Sequence, residues 1–169
     1  MSGEMAERSS WRADPFRLVW LALPIFLLHV VEETLGGFVE RLNGQVEPDA
    51  TWPTFFAVNA ICFVITALFA VAAARSRSPA ELSATLGWLA MLMLSNGLFH
   101  IVATFHLGRY SPGTITAAGL YLPFFALLFA RTIQRGALRL APFLTVAALV
   151  GIPGAIHFYL IVFEGQRLL

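Results

Sequence analysis

Three ionisable side chains, His29, Glu32 and Glu33, fall within two helical turns inside the first long apolar run of the chain. Residues three and four apart share a helix face, so the imidazole and both carboxylates project into one arc of roughly 100°. A single charge at membrane depth costs about 2.5–3.5 kcal/mol on insertion scales, and a cluster of three needs something to offset it. A bound cation, a proton kept by a carboxylate, or polar partners from other helices would each do so. Further along, Asn96 and His100 form an i,i+4 pair, and His157 follows Pro153-Gly154, where a small residue permits close helix approach. Imidazole with carboxylate suits zinc, iron or manganese, and helix-borne Glu and His residues are how bundles hold such ions. The candidate ligands of a divalent metal are therefore His29, Glu32, Glu33, His100 and His157. Glu32, Glu33 and His100 are also the candidate catalytic groups.

Positioning these residues falls to membrane helices. Of 169 residues, 58% are hydrophobic and only 12% charged, which predicts an all-α, polytopic bundle of five transmembrane helices in a single domain over 1–169. The 11 basic residues are all Arg and the net charge is +1, without a basic stripe, which excludes a nucleic-acid partner. Cys62 is the one cysteine, so no intrachain disulfide can form, and it reads as a buried small hydrophobe.

The spans are predicted at about 15–36, 52–74, 79–105, 112–133 and 140–163, after a polar tail over 1–14. The first run is too long for a signal peptide, carries Glu32 and Glu33, and lacks a small-residue cleavage site. Gly36-Gly37 ends it, and the polar stretch Phe38 to Thr51 reads as a loop. Ser78-Pro79 and Ser111-Pro112 read as N-cap and first residue of the third and fourth helices, and Pro123 predicts a kink in the fourth.

Eight Arg (8, 12, 17, 75, 77, 131, 135 and 139) fall on the N-terminal side of this topology, against three (41, 109 and 167) on the other. The positive-inside rule then places the N-terminus in the cytoplasm and the C-terminus outside, in a cell inner membrane. At about 1.5 Å per residue, His29, Glu32, Asn59, His100 and His157 converge on the outer half of the bilayer, predicting one polar pocket supplied by all five helices. Asn59, Asn96 and the start of the fourth helix, Pro112-Gly113-Thr114, are the candidate substrate contacts. That helix end offers its amides to an anionic group of a membrane lipid or lipophilic small molecule. Asn59 reads alternatively as a packing hydrogen bonder, His106 as a loop residue and Glu164 as a solvated helix end.

The ordered set His29-x-x-Glu32-Glu33, Asn96-x-x-x-His100 and Tyr110-Ser111-Pro112-Gly113, spanning about Leu28 to Pro123, resembles the HXXEE-motif integral membrane proteins, a bacterial family of unassigned function. The resemblance implies a polytopic membrane protein with these positions functionally marked, and no reaction.

From the residues themselves, the leading expectation is a metal-dependent intramembrane enzyme acting on a lipophilic substrate. A metal-free acid–base isomerase of the sterol-isomerase type is the second reading, with one Glu protonated and His100 as partner. A glutamate protease similar to the CAAX-processing family ranks lower, because Gly37 stands where that motif has Arg. A proton-coupled transport or sensing site is the reading from another class, and the apolar inner halves of the spans argue against a through-pathway.

Overall fold

The computed structural model describes residues 14–44 and 50–164, and all regular structure among them is helical. Five helices are long and apolar enough to cross a membrane: α1 (Pro15–Leu35), α3 (Trp52–Ser76), α4 (Pro79–His106), α5 (Thr114–Gln134) and α6 (Leu140–Glu164). Between the first two lies α2 (Phe38–Asn43). The polar tail predicted over 1–14 lies outside the described residues up to position 13. Asp14 itself is buried, accepts from the Phe16 amide (3.4 Å) and from Arg77 Nη2 (2.8 Å), and so caps α1 and ties it to the end of α3.

Helix α4 is the hub. It packs against α3, α5 and α6, while α1 lies against α3 and α5. Lipid tails are as apolar as leucine, so close packing has to supply the association energy. At Gly87 of α4, an added Cβ would sit 2.5 Å from the Phe143 carbonyl of α6, so the two backbones meet directly. Leu82, Leu86, Leu89 and Met93 of α4 are fully enclosed with Tyr121 and Leu128 of α5. Leu35, Phe105 and Leu149, at 83%, 81% and 71% exposure, instead point outward, as lipid-facing positions do.

Several boundaries depart from the sequence reading. Phe38 to Asn43, read as loop, turns back into helix after Gly37 adopts φ +70°, because Val39 finds a buried position and Phe38 a ring partner in His100 at 5.5 Å. Ser78 occupies the N-cap of α4 without a side-chain capping bond. Helix α5 starts at Thr114, with Gly113 rather than Ser111 at its N-cap. Pro123 follows a π-helical stretch, Ala117–Tyr121, and a second one, Ala90–Ser95, precedes Asn96 in α4. Such π stretches re-phase the side chains that follow.

Candidate metal centre

His29 and Glu33 are four residues apart on α1 and turn the same face inward, at 2% and 4% exposure. His100, on the part of α4 that follows the π stretch, meets them at 0% exposure. Glu33 Oε1 stands 3.6 Å from His29 Nε2 and 3.2 Å from His100 Nε2, and one donor atom from each residue lies within 4.8 Å of the others. Ligands about 2.0–2.1 Å from a shared tetrahedral ion are themselves about 3.3–3.4 Å apart, which the two separations from Glu33 approach.

The far nitrogen of each imidazole is held by a hydroxyl. His29 Nδ1 is 2.7 Å from Thr116 Oγ1, which in turn donates to the Gly113 carbonyl at 3.2 Å. A Thr116 proton given to that carbonyl leaves the hydroxyl oxygen to accept from His29, the arrangement in which the ring proton sits on Nδ1 and Nε2 keeps a lone pair. His100 Nδ1 is 3.2 Å from Ser111 Oγ. Outer-shell bonds of this kind fix the orientation of metal-binding imidazoles. Gly113 is wedged between the rings: an added Cβ would lie 2.7 Å from His100 Cε1 and 2.8 Å from His29 Cε1, and φ there is +102°.

Glu32 is placed differently from its neighbour. Its Oε1 accepts from the amides of Gly113 (3.0 Å) and Ile115 (2.9 Å), its Oε2 from the amide of Thr116 (2.6 Å), and the Tyr110 hydroxyl donates to Oε1. It therefore supplies the anion at the start of α5, satisfying the donors that a helix leaves open there. The amides expected to hold a substrate anion thus hold the chain's own carboxylate, and Glu32 stands outside the three-residue cluster. Tyr110, in the turn before α5, has its ionisation pushed up to about 12 by burial and then by this carboxylate.

The remaining sequence-nominated residues separate clearly. Asn96 lies one turn before His100, with its side chain beside His29 and its Oδ1 buried. Asn59 donates to the Phe55 carbonyl of its own helix at 3.0 Å. His157 is half-buried beside Phe158 on α6 and lies outside the cluster, as does His106, which packs on Phe163. The polar layer is thus built by α1, α4 and the start of α5 rather than by all five spans.

Two contributors escape the sequence reading. Tyr121, fully buried, stacks on His29 with ring centroids 4.2 Å apart, its hydroxyl unpartnered. Thr116 sits among small and apolar residues, and no local pattern marks it. On the side of the site facing α2, a small concavity is lined by Phe38, Leu42, Phe99, Leu107 and Pro112 together with Arg41, Arg109, Tyr110 and Ser111.

Neither the curated proteins nor the solved structures contain a match to this chain. A sequence profile covering residues 20–128, well over half the chain and the whole of the cluster, does match, and the protein belongs to the family described as proteins of unknown function with an HXXEE motif.

Proposed function

We propose that this membrane protein binds a divalent metal ion, zinc, iron or manganese, through His29, Glu33 and His100, and acts as an intramembrane enzyme on a lipophilic substrate. The observation that carries the reading is the convergence of two imidazole Nε2 atoms and one carboxylate oxygen, with both Nδ1 atoms already committed to hydroxyls. Lone pairs brought this close in a buried site repel unless a positive species lies between them. A proton serves one pair at a time, whereas a cation serves all three. Two imidazoles and a carboxylate also leave coordination positions open for water or substrate. A bound ion would supply Lewis-acid polarisation of such an oxygen. The chain's own part is to hold the donors rigid, keep bulk water away, and admit substrate from the side of α2, where apolar side chains alternate with Arg41, Arg109, Tyr110 and Ser111.

One observation favours a metal-free alternative. The 3.2 Å separation of His100 Nε2 and Glu33 Oε1 pairs an imidazole with a carboxylate, the components of an acid–base isomerase. The Arg distribution supports an inner-membrane orientation with the N-terminus in the cytoplasm and this site in the outer leaflet. Metal content of detergent-purified protein decides between the two chemistries. One ion per chain, lost in His29→Ala and His100→Ala, is the expected result. A metal-free wild type whose Glu33→Gln variant is more stable to heat would establish the proton reading in its place.

A further inference from the structure

The two adjacent carboxylates of the motif touch different things. Glu33 faces both Nε2 atoms, while Glu32 faces the turn that carries the hydroxyls on both Nδ1 atoms. The hydrogen-bonded links between Glu32 and the imidazoles run through residues 110–116. The Gly113 and Thr116 amides are bound to Glu32. The Thr116 hydroxyl contacts His29, the Ser111 hydroxyl contacts His100, and the Gly113 carbonyl accepts from Thr116. Pro112 also abuts α1 itself, since an added Cβ on Gly36 would lie 2.6 Å from Pro112 Cβ. The turn can approach α1 this closely only with its amides satisfied, because unpaired buried donors carry a full desolvation cost.

We propose that Glu32 is a positioning residue: by clamping the 110–116 turn onto α1, it fixes the orientation and the Nδ1–H tautomer of both His29 and His100, and so presents both Nε2 lone pairs to the centre. The part that concerns metal affinity rests on the metal reading above; the part that concerns the tautomers stands without it. Glu32→Gln keeps the shape but turns one acceptor oxygen into a donor facing backbone N–H groups, so the clamp loses at least one of its bonds. The change is transmitted to two rings, on two helices, neither of which Glu32 touches through a hydrogen bond.

The test uses full-length protein in detergent micelles with ¹⁵N-labelled histidine, metal-free, followed by titration with Co²⁺. Wild type should show both rings as the Nδ1–H tautomer. Glu32→Gln should convert both rings to mixed tautomers and weaken Co²⁺ binding by about 10–100-fold at unchanged stoichiometry, the range for loss of outer-shell support. Glu33→Gln should leave the tautomers in place and lose the ion. Thr116→Val should release His29 alone and Ser111→Ala His100 alone, which keeps the proposal testable even where Glu32→Gln fails to fold. Wild type binding no Co²⁺ while Glu32→Gln still disturbs both rings would defeat the metal reading and leave the positioning role standing. Unchanged tautomers in Glu32→Gln, or in both hydroxyl variants, would overturn it.

Discussion

In the half of the bundle near Arg77, buried hydroxyls all have partners. Ser83 donates to the Pro79 carbonyl and accepts from the Arg139 amide, Thr85 donates to the Glu81 carbonyl, and Thr132 to that of Leu128. Thr66 donates to the Cys62 carbonyl and accepts from Trp88 Nε1 at 2.9 Å. In the other half, His29 Nε2, His100 Nε2, Asn96 Oδ1 and the Tyr121 hydroxyl are all buried without hydrogen-bond partners, and they are the four such side-chain atoms among the described residues. The first arrangement is glue: the polar group is spent on holding helices together. The second holds polar capacity in reserve at one place, which is the property of a site that receives something.

Substitutions at the two ends test this contrast. The largest effect is expected at Gly113→Ala, where the new methyl group would meet both imidazoles and the backbone conformation disfavours any Cβ. A loss of about 1–3 kcal/mol in stability, together with loss of metal, should appear in thermal unfolding and metal analysis. Thr66→Val, which removes the acceptor for Trp88, should destabilise by about 0.5–1.5 kcal/mol. Tyr121→Phe, the matching deletion of a buried hydroxyl at the site end, should leave stability unchanged or slightly raised, since no bond is lost. Equal destabilisation by the two would erase the distinction between glue and reserve.

A smaller effect concerns pH. Tyr110 keeps its proton in the folded protein up to about 12. In the unfolded chain a tyrosine loses it near about 10, so the unfolded state releases its proton first and stability falls as pH rises between those values. Melting temperatures of wild type should therefore drop faster than those of Tyr110→Phe across that window. Parallel curves would show that the contact with Glu32 has no weight in the fold.

Much of the fold could be read from hydropathy, because a span needs only length and apolar composition, and the helix ends fall within about two residues of those expected. Part of the site was equally accessible. The i,i+4 spacing puts His29 and Glu33 on one face, and membrane depth places His100 near them. What sequence could not supply depends on tertiary contact. Glu32 and Glu33 are chemically identical neighbours, and only the position of the 110–116 turn gives one to the backbone amides and the other to the imidazoles. The Thr116 bond to His29 spans 87 residues, and no local pattern encodes it. The π stretches before Asn96 and around Tyr121 re-phase helices that read from sequence as uninterrupted, and α2 looked like loop because its polar residues mask the two apolar contacts that fold it.

The central claim, that His29, Glu33 and His100 form one metal-binding shell, is tested most directly by X-ray absorption at the metal edge of protein loaded with one equivalent of Zn²⁺. The account predicts nitrogen and oxygen ligands at about 2.0–2.1 Å with the scattering signature of two imidazoles, reduced to one in His100→Ala. A wild-type spectrum without imidazole scattering, or one that His100→Ala leaves unchanged, would contradict it.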